Sequence, residues 1–244
     1  MGKRIKLVDL IVEAGETNGG GQSSGKLELV KTSIKQAREY AAKRGFDLDK
    51  EIPNFEQNYK IAKAAASRGS TKRKDMPVIT DDDVKHLQYR LSKGYIDINA
   101  PHAKEWDRTN PFPQGLAGGQ AKKWLKSGLP DSDGAELGDD AVKVKKGKVI
   151  ISKLKPIQKQ IYVDKSLGGT IDFGVKGSLK FIFGKSYFII SADNYIIDGH
   201  HRYLSGMLLN PKGAVNALII DLPIKTLLPL TLAYGDAIGN TRNA

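Results

Sequence analysis

The chain of 244 residues is long enough for one ample hydrophobic core or two modest ones, and its 40% apolar content fits a globular protein. It contains no cysteine, which excludes disulfides, thiolate nucleophiles and cysteine-ligated zinc or iron–sulfur centres. A formal net charge of +12 fits either a polyanionic neighbour such as nucleic acid or a lysine-rich solvated surface.

The opening MGKRIKLVDLIVEAG is basic, meets acids at Asp9 and Glu13, and lacks the apolar run of a signal peptide. GETNGGGQSSG (15–25) has the composition of a flexible spacer, so residues 1–26 read as a flexible basic N-terminus and linker. LELVKTSIKQAREYAAKRG predicts a helix from Leu27 to about Arg44, stopped by Gly45. FEQNYKIAKAAASRG (55–69) predicts a second, favoured by its alanines and stopped by Gly69. The basic loop SRGSTKRKDMP (67–77) carries Arg68, Lys72, Arg73 and Lys74, which either touch phosphates or stay solvated. A third helix is expected from Thr80, with a capping hydroxyl and with acids at 81–83 matched to the helix dipole. His86 and His102 have no partner at metal-binding spacing and read as ordinary packing or surface residues. Residues 101–140 read as irregular, and the acidic DSDGAELGDD lacks the spacing of an EF-hand. Residues 27–140 are thus expected to be mainly helical with irregular loops. No apolar stretch approaches the roughly 20 residues of a membrane span.

From about residue 141 the pattern changes. VIISKL, SLKFIFG, SYFIISADNYIID and AVNALIIDLP are short β-branched and aromatic runs divided by turns, the signature of strands. YIID leads into GHHRYLSGMLLN, which reads as a helix, and PIKTLLPLTLAYGDAIG supplies helical turns near the end. The expected fold is mixed α+β, with a small α/β domain over 141–244 preceded by the mostly helical region.

The candidate site is the junction Asp198-Gly199-His200-His201-Arg202. With Asp198 at a strand end and Gly199 at the turn, the following residues form the first turn of a helix. Its unsatisfied N–H groups and dipole favour an anion. Arg202 adds a guanidinium fork suited to phosphate. His200 and His201 can donate to an oxygen or move a proton, and are the candidate catalytic residues with Asp198. Asp198 can orient an imidazole, cap the helix, or help hold a phosphate-bound magnesium ion. Adjacent histidines diverge on a helix, which disfavours a shared metal. Two readings stand, a structural cap and a phosphate or nucleotide site, and the second leads.

IIDGHHRY followed by a helix resembles the phosphate-binding box of the ParB/sulfiredoxin superfamily. VIISKLKPIQKQIYVDKSL is similar to that family's opening strand and P-x-Q segment, here Pro156-Ile157-Gln158. SYFIISADNYIIDGHHRY resembles its hairpin, Tyr187–Ile190 and Tyr195–Ile197, feeding the box. The resemblance covers roughly 148–235. It implies a sulfiredoxin-like fold and a nucleotide ligand, ATP, ADP or CTP with Mg2+, with phosphotransfer or nucleotide hydrolysis as the activity. The DGHHR form looks nearest to the free serine kinases. Carried over, Asp198, Gly199, His200, His201 and Arg202 line the phosphate path, and Gln158 and Gln160 approach the ligand. The chain departs from the family in three ways. It lacks the sulfiredoxin cysteine. Only eight residues follow Asp236, so a helix-turn-helix domain is not expected after it. No glutamate follows Glu136, so Asp164, Asp172 and Asp198 are the candidates for a catalytic base.

Lys143, Lys145, Lys146, Lys148, Lys153, Lys155 and Lys159 form the densest basic tract. On a continuing strand, Lys153, Lys155 and Lys159 would share an outer face, able to track a DNA backbone or to guard a solvated edge. The alternative to an enzyme is therefore a DNA-associated protein or a phage virion or assembly protein that retains the fold and meets partners through its N-terminal region. The expected location is the cytoplasm or, for a phage protein, the virion, with no membrane partner.

Overall fold

A computed structural model of the chain describes residues 27–79 and 144–237. The helix expected from Thr80, His86, His102, the acidic loop and Lys143 lie outside the described residues. The architecture is mixed α/β, with a mostly helical N-terminal part and a strand-containing C-terminal part. Among the described residues no helix is long and apolar enough to cross a membrane.

Helix α1 (Ile34–Ala42) begins at Ser33 rather than at Leu27. Ser33 and Gln36 form a capping box, in which each side chain serves the other's backbone N–H. Glu28 instead bridges Tyr162, and a turn over residues 29–31 follows. A short helix α2 (Leu48–Glu51) leads to α3 (Phe55–Ala66), which buries Phe55, Tyr59, Ala62 and Ala66 on one face. That spacing is the three-and-four repeat of an amphipathic helix.

Five strands form one mixed sheet: β1 (Val144–Ile150), β2 (Lys155–Pro156), β3 (Tyr187–Ser191), β4 (Tyr195–Asp198) and β5 (Ala214–Ile220). Their spatial order is β1-β5-β3-β4-β2. β1 runs antiparallel to β5, β5 parallel to β3, β3 antiparallel to β4, and β4 parallel to β2. The first strand therefore lies upstream of VIISKL, across the lysine tract, and the chain turns at Ile151–Lys153.

SLKFIFG is not a strand. It closes helix α4 (Val163–Lys180) and the π-helical turn Phe181–Lys185 that follows. α4 breaks at Gly174, whose backbone leaves the helical region. Four glycines and several β-branched residues give this stretch weak helix propensity, so packing against α1 and the next helix holds it. That helix is α5 (His200–Leu209), and α6 (Ile224–Ala237) follows β5.

One hydrophobic core runs through both described segments. Phe188 and Ile190 of β3, with Val215 and Ala217 of β5, meet Tyr203, Leu204, Met207 and Leu208 of α5. Leu48, Phe55 and Tyr59 of the N-terminal segment belong to the same cluster. One buried polar bond crosses the joint and a second braces the N-terminal segment. Asn58 Nδ2 donates to the Leu208 carbonyl at 2.8 Å, and the Tyr59 hydroxyl donates to the Thr32 carbonyl at 3.2 Å. The helical segment is thus a layer of the same folded body. This position brings its last turns to the sheet edge beside α5.

Candidate functional site

The β4–α5 junction is strand, turn, helix. Gly199 is the N-cap residue at φ 111°, a backbone that side-chain-bearing residues rarely adopt. A Cβ there would also stand 2.7 Å from the Phe188 ring. No side chain caps α5, so the amides of its first turn are left for another partner.

The two histidines turn towards the loop 157–163. His200 is 4% exposed, and its Nε2 accepts the Gln158 backbone N–H at 3.2 Å. His201 Nε2 accepts the Tyr162 N–H at 3.2 Å, and its ring stacks on Tyr162 with centroids 6.0 Å apart. An imidazole that accepts at Nε2 is neutral and carries its proton on Nδ1. The electrostatics agree. Burial, followed by the nearby charges of Arg73 and Arg202, pushes His200 down to about 3. Burial, Arg73 and Lys165 hold His201 well below its ordinary value. Both histidines therefore stay uncharged at neutral pH.

The same loop is gripped from its other side by the N-terminal segment. Leu29 N–H donates to the Ile161 carbonyl at 2.8 Å, and Val163 N–H to the Leu27 carbonyl at 2.7 Å. At the other end, the N–H groups of Ser70 and Thr71 donate to the Ile157 carbonyl at 2.9 and 3.0 Å. Lys159 N–H returns a bond to the Thr71 carbonyl at 2.7 Å. Gly69 makes this approach possible, since a Cβ there would lie 2.8 Å from the Gln158 carbonyl oxygen. The loop's buried backbone groups are thereby satisfied.

Anchoring the 69–75 segment brings Arg73 to the site. Its backbone N–H donates to Gln160 Oε1 at 2.7 Å, and its guanidinium stands 5.8 Å from the Tyr162 ring centroid. Burial lowers its pKa. Arg73, Lys165 in the first turn of α4, and Arg202 all line one cleft of about 190 Å³ between α4 and α5. His201, Ser166, Ser205, Phe173, Phe181 and Ile182 line it too. Asp172 is the carboxylate of that lining, and it lies 3.7 Å from Arg44. Three cations from three separate elements therefore meet one acid around the cleft.

The other candidate residues fall as follows. Arg202 pairs with Asp198 and lies over Phe188, 5.4 Å from the ring centroid. The Gln158 side chain donates to the Gln160 carbonyl, so both glutamines brace the loop and Arg73 rather than line the cleft. Asp164 accepts the Leu27 N–H at 3.1 Å. Among the described residues no group of three or more histidines and carboxylates is placed to hold a metal ion. The lysines do not share one strand face. Lys145, Lys146 and Lys148 are exposed on β1 at one edge of the sheet, where Lys145 pairs with Asp221 at 3.2 Å. Lys155 lies on β2 at the opposite edge, over the Tyr195 ring. Lys153 and Lys159 are exposed outside the strands, because the strand ends at Ile150.

Of the cleft's cations, Arg73 comes from the basic loop that the sequence offers as a phosphate contact, and Lys165 is the one sequence reasoning missed. Arg73 had a partial signal, a basic loop with a glycine at its start. Lys165 sits in a helix whose glycines hide it.

No protein-family model, no curated protein and no solved structure matches the chain.

Proposed function

We propose that this chain binds a phosphate-bearing small molecule, a nucleotide foremost, at the cleft beside the first turn of α5, and that its C-terminal half is a ParB/sulfiredoxin-like domain. The observation that carries the reading is the convergence of Arg73, Lys165 and Arg202 on one cleft next to an uncapped helix start. Charged donors in a partly desolvated cleft are the usual chemistry of phosphate recognition.

The roles differ from a simple catalytic pair. Arg202, Arg73 and Lys165 hold the anion. His200 and His201 hold the 157–163 loop, since their Nε2 atoms already accept backbone N–H groups. Gln160 positions Arg73 through its backbone. With ATP, ADP or CTP bound, a magnesium ion would draw most of its oxygens from phosphates and water, and Asp198 would complete its shell only by giving up its pairing with Arg202. Phosphoryl transfer rests chiefly on positioning and charge neutralisation, so phosphotransfer or nucleotide hydrolysis would use this same group of cations.

Calorimetry with ATP, ADP and CTP, with and without magnesium, tests the reading. Binding is expected, weakened about tenfold or more by Arg202→Ala, the usual worth of a charge-assisted phosphate contact. A wild-type chain that binds none of the three overturns the proposal. An Arg202→Ala chain with undiminished affinity moves the phosphate elsewhere.

A second reading, a DNA-associated or virion-assembly protein without turnover, draws on the exposed Lys145, Lys146 and Lys148 of the outer strand. It predicts duplex binding that weakens steeply with salt.

A further inference from the structure

The cleft joins unlike groups. Its lining holds the cations Arg73, Lys165 and Arg202, the carboxylate of Asp172, and the apolar Phe173, Phe181 and Ile182. Of the four hydroxyls in that lining, three are committed to backbone carbonyls and Ser178 is the fourth. Ser166 Oγ donates to the Tyr162 carbonyl at 3.0 Å, and Thr170 Oγ1 to the Ser166 carbonyl at 3.1 Å. Ser205 Oγ donates to the Ser166 carbonyl at 2.9 Å. Each of these three protons goes to a backbone oxygen, so beside the cations only Ser178 leaves a lining hydroxyl for a ligand. A cleft of about 190 Å³ is small, below the roughly 300 Å³ at which pockets for drug-sized ligands begin.

From this we infer the class of ligand: a small phosphomonoester that carries a flat or apolar ring, with the phosphate on the three cations and the ring against Phe173, Phe181 and Ile182. The inference rests on the phosphate reading above and adds to it what lies on the other side of the ester oxygen. Such a ring gains affinity from apolar burial, and the Ser178 hydroxyl, which both donates and accepts, does not sort one ring's donors and acceptors from another's.

The test is equilibrium binding to the full chain with four probes: inorganic phosphate, phenyl phosphate, CMP and UMP. Phenyl phosphate is expected to bind about tenfold or more tightly than inorganic phosphate, and CMP and UMP within about threefold of each other. Gly169 lines the cleft, and a Cβ there meets nothing within 4 Å. Gly169→Leu is therefore expected to keep the wild-type melting temperature and to abolish the advantage of phenyl over inorganic phosphate. If all four probes bind with equal affinity, the phosphate site stands and the ring pocket is wrong. A Gly169→Leu chain that folds and keeps the full advantage also overturns the ring placement. A preference above about tenfold between CMP and UMP overturns recognition by shape. If none of the four binds while ATP, ADP or CTP does, the phosphomonoester inference fails and the phosphate reading stands; if none of the seven binds, both fail.

Discussion

On one side of the first turn of α5, His200 and His201 each accept a backbone N–H from the 157–163 loop. On the other side, Arg202 meets Arg73 and Lys165 around a cleft. Three consecutive residues thus meet two environments with opposite demands, and His201 borders both. On the loop side, backbone groups are paired by the histidine side chains and by backbone bonds from the N-terminal segment. The cleft side keeps its cations beside an uncapped helix start. The difference separates holding from binding. Imidazoles suit the first side because a neutral ring can accept a bond in a dry place. Guanidinium suits the second because it stays charged when partly buried.

The largest effects should come from breaking the holding side. His200→Ala leaves the Gln158 N–H without its acceptor and opens a cavity in a buried position. Destabilisation of about 2–4 kcal/mol in urea unfolding is expected. Removing the more accessible His201 should cost less. Acid does the same work gradually. His200 titrates at about 3 in the folded chain against 6.5 for an unperturbed ring. Between those values the unfolded chain binds a proton that the folded chain refuses. Stability should therefore be level above pH 6.5 and fall below it, by up to about 1.4 kcal/mol per pH unit from this residue alone. A melting temperature unchanged from pH 7 to pH 4 would contradict the buried, neutral placement. Phosphate affinity near neutral pH should follow the ligand's own second ionisation near pH 6, since neither histidine changes charge there.

Next in size is the joint between the two sides. Gly69→Ala places a Cβ 2.8 Å from the Gln158 carbonyl, and a forced shift of backbone costs about 1–3 kcal/mol. Because this joint sets the position of Arg73, the same substitution should weaken phosphate binding, whereas Gly45→Ala, at a glycine with open space around it, should alter stability alone. Arg73→Ala sharpens the contrast from the binding side. It should reduce affinity about tenfold or more, in line with the loss of a charge-assisted contact. If Gly69→Ala lowers stability and leaves ligand affinity intact, the segment is a structural prop and Arg73 reaches the cleft independently of it.

The strand–turn–helix junction was legible in the sequence because each cue is local. YIID is a short apolar run that ends in an acid, Gly199 is the residue that tolerates the left-handed turn, and the GHHRYLSGMLLN stretch carries helix periodicity. The direction of its side chains was not local. Burial of His200 depends on a loop some forty residues upstream and on an N-terminal segment further still. The pair therefore read as titratable when the folded chain keeps it neutral. Helix α4 escaped detection for a related reason. Gly168, Gly169, Gly174 and Gly177 weaken its propensity, and SLKFIFG imitates a strand, yet packing between α1 and α5 stabilises the helix. The lysine tract failed differently. It was read along one strand, but the turn at Ile151–Lys153 sends its two ends to opposite edges of the sheet.

The smallest effect concerns that tract, and it separates the cleft from the rest of the basic surface. Lys146 and Lys148 are exposed on β1, an edge strand placed three strands away from β4 in the sheet order. Their removal leaves no buried group unsatisfied, so Lys146→Gln and Lys148→Gln should each change stability by no more than about 0.5 kcal/mol. A short phosphomonoester in the cleft cannot reach that edge, and its affinity should stay within about twofold at physiological ionic strength, where exposed charges beyond roughly 8 Å are screened. Duplex DNA spans the whole surface and behaves differently. If the edge contacts phosphates, each substitution should make the slope of log affinity against log salt shallower by about one. A slope that does not change leaves these lysines as solvated charges that guard an open edge. A loss of phosphomonoester affinity instead would mean that the cationic field of the cleft extends across the sheet, and that Arg73, Lys165 and Arg202 do not act as a separate group.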